Sequence, residues 1–150
     1  MEKKSLYSSE VYEKCQSRIE QLTSETQPQW GSMTVAQMLA HCSEIQEVTN
    51  GKDLKNRPFI VKLFCSMIRT WLLVRNPIRR ALKLIRSIYK PKIVIFANEK
   101  KRLLDALAQF VADKEKSESA GHPLFGKMTV EKKGWSMVKH LDPHLTQFGV

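Results

Sequence analysis

The chain has 150 residues, 42% of them hydrophobic, and a formal net charge of +10. This length predicts one domain, residues 1–150, with a core that needs no disulfide or structural metal. Its three cysteines lack CxxC spacing, which argues against a disulfide framework and against a cysteine zinc site. The N-terminus has no apolar run, and the longest apolar stretch, 59–74, is broken by two basic residues. We therefore expect a cytoplasmic protein without a transmembrane segment.

The positive charge is concentrated in the middle of the chain. Between Lys52 and Arg102 there are fifteen Lys and Arg residues but two acidic ones. The rest of the chain has a small negative excess. A basic segment of this kind, which we place at 52–92, can contact nucleic acid, an anionic membrane surface or an acidic small molecule. Its charge alone does not choose among these partners.

Apolar residues recur at helical spacing in the first third of the chain. This period predicts a first helix from Ser9 to Thr23 and a second from Thr34 to about Thr49. Thr34 and Gln37 have the spacing of a capping box, which satisfies two free amides at a helix start. Thr129 can likewise act as the N-cap of the last helix. His41 lies at the border of the apolar face of the second helix, so we expect its side chain to point inward.

The remaining predicted elements are mostly helical as well. In chain order they are an apolar helix within 59–74, a short basic helix that begins at Asn76-Pro77 and carries Arg79, Arg80, Lys83 and Arg86, an extended connection at 93–96, a long helix from Asn98 or Glu99, a mobile loop at 114–121, and a last helix from Thr129. Together these elements predict an all-α fold. We expect a four-helix bundle with a long, partly helical connection between its second and third helices.

Three of the four histidines follow a repeated start, Gly-x-Met-Thr-Val, which occurs at 31–35 and at 126–130. His41 follows the first copy, and His140 and His144 follow the second. Residues spaced i, i+4 project from the same side of a helix, and imidazole is the commonest protein ligand for transition metals. The spacing therefore fits a three-histidine metal site. It also fits partly buried histidines that are merely hydrogen-bonded.

Several neighbouring residues have both a functional and a structural interpretation. Glu44, three residues after His41, could orient that ring or act as a base, or be a surface carboxylate. Asp142 could accept a hydrogen bond from either final histidine, and Cys42 could be a fourth ligand, although core packing is favoured for it. No catalytic residue is assigned. The tryptophans are expected in the core or in a pocket wall: Trp30, Trp71 and Trp135.

Three segments, 30–42, 122–129 and 140–149, resemble a branch of the DinB-like superfamily. The resemblance spans nearly the whole chain and is weakest from Lys52 to Lys92. It implies a bundle that holds a divalent metal, usually nickel or zinc, through His41, His140 and His144. Characterised relatives include metal-dependent transferases that use low-molecular-weight thiols, hydrolases and an isomerase. The resemblance also places His122 in a structural His-Pro-x-Phe-Gly turn.

One position departs from the pattern of that branch, which commonly has histidine where this chain has Pro143. Proline disfavours helical geometry in Asp142 and removes the amide that would bond back to Lys139. We therefore expect the last helix to end or kink near Leu141. Such a break would move His144 relative to His140 and limit the affinity for metal.

Two classes of function follow from these observations. In the first, the protein is a metal-dependent transferase or hydrolase that activates water or a thiolate for attack on a small anionic electrophile. The alternative is a non-catalytic helical binding module whose segment 52–92 contacts nucleic acid, weakly and non-specifically, or an anionic membrane surface. A retained site without a catalytic role also fits. The assembly state is open between a monomer and a homodimer.

Overall fold

The computed structural model describes residues 4–52, 94–119 and 128–150. Its helices within these ranges are α1 (Ser9–Gln21), α2 (Val35–Thr49), α3 (Phe96–Ala112), α4 (Lys114–Ser119) and α5 (Val130–Gln147). These ranges contain no strand, which confirms the all-α prediction for this part of the chain. None of these helices combines the length and hydropathy needed to cross a membrane. The predictions for 53–93, including the basic helix and Trp71, and for His122 lie outside the described residues.

Both threonines of the repeated start cap a helix, as the sequence predicts. The Thr34 hydroxyl accepts from the Gln37 amide at 3.2 Å, and the Gln37 side chain accepts from the Thr34 amide at 2.9 Å. This capping box sets the first residue of α2. At α5 the Thr129 hydroxyl accepts from the Lys132 amide at 3.3 Å. Each cap satisfies backbone donors that have no partner within the helix.

Three of the predicted elements differ from the structure. The first helix ends at Gln21 rather than at Thr23. The third long helix begins at Phe96 rather than at Asn98 or Glu99. Its first turn is stabilised by Lys100, whose Nζ lies 5.6 Å from the centre of the Phe96 ring one turn earlier. The predicted loop at 114–121 contains α4 over Lys114–Ser119. Lys and Glu are good helix formers, which gives this polar stretch enough local preference for a short helix.

The four long helices share one hydrophobic core. Within it α2 packs most extensively against α3, while α1 packs against both α3 and α5. Apolar residues of all four helices contribute to it, and so do Leu6 and Phe148, which lie outside the helices. The largest side chains that are fully buried include Ile19, Met38, Leu39, Leu103, Leu107 and Leu145.

Two of the tryptophans that we expected in the core or in a pocket wall are partly exposed. Trp30 is 53% exposed and Trp135 is 37% exposed. Trp30 lies in the loop before α2. The Trp135 ring is on the outer side of α5, where Lys139 Nζ lies 4.6 Å from its centre. The core prediction is therefore wrong for both residues.

Helix α5 does not end near Leu141, so this part of the prediction is wrong. It continues through Pro143 to Gln147. Arg18 of α1 holds the turn around the proline, because its guanidinium donates to Asp142 Oδ1 at 2.6 Å, Thr146 Oγ1 at 3.1 Å and Val150 O at 2.7 Å. Burial of apolar side chains beyond Pro143 adds to these contacts, since Leu145 and Phe148 are 0% and 3% exposed. Tertiary contacts thus compensate for the one backbone N–H donor that proline lacks.

Candidate metal centre

The three predicted histidines come from two helices that face each other across the core. His41 lies in the second turn of α2, and its position along the helix follows from the capping box at Thr34. His140 and His144 lie one turn apart on α5. Because α5 continues through Pro143, the two imidazoles remain on the same side of the helix. His41 points inward, as expected, and its ring therefore lies next to those of His140 and His144.

The three rings form a nearly equilateral triangle. Ring centres are 5.1 Å apart for His41 and His140, 4.9 Å for His41 and His144, and 5.0 Å for His140 and His144. The Nε2 atoms of His41 and His140 are 3.2 Å apart and share a hydrogen bond. When one nitrogen is taken from each ring, the three nitrogens all lie within 4.8 Å of one another. The nitrogens therefore converge on a common point.

The environment keeps these imidazoles neutral. Burial, followed by the nearby His144, lowers the pKa of His41 to about 4. Burial also lowers the pKa of His140 well below its ordinary value, with further contributions from the other two histidines. The pKa of His144 is lowered by burial and partly restored by a hydrogen bond to Gln147. At neutral pH all three rings keep a lone pair, which metal coordination requires.

The donor set and its spacing fit a divalent transition metal. With nitrogen–metal distances of about 2.0–2.1 Å, two ligands of a tetrahedral site are about 3.3 Å apart. The 3.2 Å between the His41 and His140 nitrogens meets this requirement already. The nitrogens of the other two histidine pairs lie at most 4.8 Å apart. The two nitrogens of each pair must therefore approach each other by at most about 1.5 Å to bind one metal, which small side-chain rotations can supply. Three protein ligands would leave a coordination position open, as in catalytic rather than structural zinc sites.

Gln147 connects the last turn of α5 to the loop before α2. Its Nε2 donates to the backbone oxygen of Trp30 at 2.6 Å. The Gln147 backbone oxygen accepts from the Gln29 amide at 2.7 Å. The last turn of α5 is thus tied to this loop at two points. Sequence reasoning missed Gln147, although its place three residues after His144 puts it on the same helix surface.

The two carboxylates considered as partners of the histidines take part in ion pairs. Glu44 Oε2 accepts from Arg102 at 2.7 Å and from Lys52 at 3.3 Å. These contacts place Glu44 in a cluster that joins α2 to α3. Asp142 pairs with Arg18 on α1, as described above. The structure therefore gives both carboxylates a role in joining helices.

Cys42 is part of the core, as favoured by the sequence. It is 2% exposed, and its Sγ lies 3.7 Å from Met38 Sδ. Burial raises the pKa of its thiol. The thiol therefore stays protonated at neutral pH and does not offer the thiolate that metals bind.

Comparisons with protein-family models, with curated proteins and with solved structures returned no match to this chain. The case for a site therefore rests on the chain's own geometry. Within the described residues, these three histidines form the only cluster of His, Cys, Asp or Glu side chains that could hold a metal ion.

Proposed function

We propose that the protein binds one divalent transition metal ion, nickel or zinc, through His41, His140 and His144. The observation that carries this proposal is the convergence of three neutral imidazole nitrogens within 4.8 Å, supplied by two different helices. Imidazole nitrogens are borderline ligands that suit nickel and zinc better than magnesium or calcium. The resemblance to the DinB-like superfamily supports the same ligands, and with it a four-helix bundle.

We further propose that the site serves a transferase or hydrolase reaction. A divalent cation held there would supply Lewis acidity to a coordinated water, thiol or substrate oxygen. The protein's own contribution is to keep three lone pairs available and to hold them in a partly buried position. The resemblance supports a low-molecular-weight thiol as cosubstrate. The positive charge between Lys52 and Arg102 supports a small anionic electrophile as substrate.

Elemental analysis combined with a competition titration against a chelator tests the metal site. We expect about one nickel or zinc per chain in the wild-type protein. His41→Ala should weaken binding by more than the roughly 10–100-fold that loss of an outer hydrogen-bond partner costs, since it removes a ligand. His122→Ala is the matched control, because it removes the chain's fourth histidine, and it should bind as the wild type does. Substoichiometric metal that is unchanged in His41→Ala would overturn the proposal.

The alternative, a binding module that uses segment 52–92, rests on charge alone. Of this segment only Lys52 belongs to the described residues, and it pairs with Glu44 and Glu47. We expect duplex DNA to bind weakly and to dissociate steeply with salt, in proportion to the phosphates neutralised. Submicromolar, sequence-selective binding at physiological salt would favour the module over the metalloenzyme.

A further inference from the structure

The backbone around Trp30, in the loop before α2, is held against the last turn of α5. The Gln29 amide donates to the Gln147 backbone oxygen at 2.7 Å, and Gln147 Nε2 donates to the Trp30 backbone oxygen at 2.6 Å. One of these bonds precedes the Trp30 side chain along the chain and the other follows it. The position of the Trp30 Cα atom is therefore defined by the end of α5.

Two glycines allow the loop and the end of α5 to approach each other this closely. Gly31 has φ of +85° and Gly149 has φ of +77°, a conformation that residues with a side chain rarely adopt. A Cβ atom at Gly31 would lie 2.6 Å from Gln147 Nε2, and one at Gly149 would lie 2.8 Å from Gln29 Nε2. Each segment thus provides a glycine that receives a glutamine side chain of the other.

The Trp30 side chain stays largely in solvent although its backbone is fixed. It is 53% exposed, whereas an indole in a core or an interface buries roughly 150–250 Å². A tryptophan has few rotatable bonds, so it loses little conformational entropy when a ligand covers it. A fixed backbone reduces this cost further. These are the properties of a preorganised binding residue.

The loop lies close to the candidate metal centre along both helices that supply the histidines. Gln147 follows His144 by three residues, and side chains with this spacing are about 5–6 Å apart at Cβ. On α2, His41 follows the cap residue Thr34 by seven residues, which is about two turns. Trp30 is therefore attached within about two helical turns of the histidines on either helix.

We propose that Trp30 is a specificity-determining residue whose indole forms an apolar wall beside the open coordination position. The ligand bound at that position would carry a planar, apolar group that stacks on the indole. This inference deepens the proposed function and rests on it, since it requires a metal on the three histidines. It adds the substrate class, which is a thiol or an electrophile with an aromatic group rather than a short alkyl chain.

Binding of two thiols to the full-length protein loaded with Co²⁺ tests the proposal. Co²⁺ binds the same imidazole ligands as nickel and zinc, and a coordinated thiolate adds a charge-transfer absorption that reports binding. Phenylmethanethiol carries an aromatic group, and ethanethiol does not. We expect Trp30→Ala to weaken phenylmethanethiol binding about 3–10-fold, the usual strength of an aromatic pair, and to leave ethanethiol binding unchanged. Comparison of one thiol across variants removes any effect of its own acidity.

Two matched controls separate the indole from general effects of substitution. Trp135→Ala removes another partly exposed tryptophan, which lies on the outer side of α5, and should change the binding of neither thiol. Trp30→Phe keeps an aromatic ring and should retain most of the affinity for phenylmethanethiol. Gly31→Ala should act like Trp30→Ala, because it pushes the loop away from Gln147. Gly51→Ala has the same kind of backbone strain, with φ of +101°, but its Cβ would meet nothing within 4 Å, so it should bind both thiols as the wild type does.

The outcomes distinguish this proposal from the proposed function. If the wild type binds Co²⁺ but Trp30→Ala weakens both thiols equally, or neither, the role of Trp30 is overturned and the metal site stands. A loaded wild type that coordinates neither thiol overturns the role of Trp30 as well. A wild type that binds no Co²⁺ overturns the proposed function, and the role of Trp30 with it. Gly31→Ala keeps the test decisive should Trp30→Ala fail to fold.

Discussion

Arg18 provides the sharpest test of how the last helix keeps its geometry past Pro143. We predict that Arg18→Met lowers the free energy of unfolding of the metal-free protein, because the guanidinium joins α1 to the final turns of α5. Methionine retains much of the apolar stem, whose burial is considerable in a side chain that is 16% exposed. The loss should therefore come mainly from the hydrogen bonds.

The magnitude follows from the individual contacts. The ion pair with Asp142 is worth about 0.2–1 kcal/mol, because the Asp142 side chain is 59% exposed and well solvated. The bonds to Thr146 and Val150, at 3.1 and 2.7 Å, each contribute about 0.5–1.5 kcal/mol net. The contact with Asp142 O at 3.4 Å is too long to add much. We expect a total loss of about 2–3 kcal/mol, or a decrease in Tm of roughly 5–10 °C.

Urea denaturation followed by circular dichroism measures this loss, and the slope m should stay the same if the transition remains two-state. Lys101→Met is the control, because Lys101 pairs with Asp105 through side chains that are 77% and 64% exposed. It should cost less than about 0.5 kcal/mol. The loss from Arg18→Met should be smaller in a Pro143→Ala background, where the helix regains its own amide. A cost for Arg18→Met no larger than that of Lys101→Met would refute the reasoning.

Three further predictions concern other parts of the fold. Pro143→Ala should stabilise the protein by about 1–3 kcal/mol in the same urea assay and leave metal affinity unchanged, because the rings are already in place; a destabilised variant would contradict this. The hydrogen bond from Arg102 lowers the pKa of Glu47 from 4.5 to about 2, so this pair stabilises the fold above pH 4.5 and loses its contribution as pH falls from 4.5 towards 2. Glu47→Gln should therefore be less stable at neutral pH and flatten the stability curve in that window, and curves that stay parallel would speak against the pair. A Cβ at Gly134 would overlap Ser5 Oγ, so Gly134→Ala should cost about 1–3 kcal/mol, with a smaller cost in a Ser5→Gly background; equal costs in both backgrounds would exclude this contact as the cause.

The sequence alone determined the local features of this fold. Apolar spacing predicted where α1 and α2 begin, and the residue types at Thr34, Gln37 and Thr129 predicted the caps that the structure contains. These features depend on contacts within one or two turns of a helix, which neighbouring residues specify. The placement of His140 and His144 on one side of a helix is likewise a local feature, because it follows from their i, i+4 spacing.

Only the tertiary structure decided how the histidines meet and how α5 passes Pro143. His41 and His140 are 99 residues apart in the chain, and their nitrogens come to 3.2 Å through helix packing. The sequence around Pro143 shows that one backbone amide is lost. It does not show the contacts of Arg18, which is 124 residues from Asp142 in the chain. A proline penalty of a few kcal/mol can be offset by such long-range hydrogen bonds and by burial of the residues beyond it. The balance between local preference and tertiary contacts is therefore decided by which distant side chains the fold brings together.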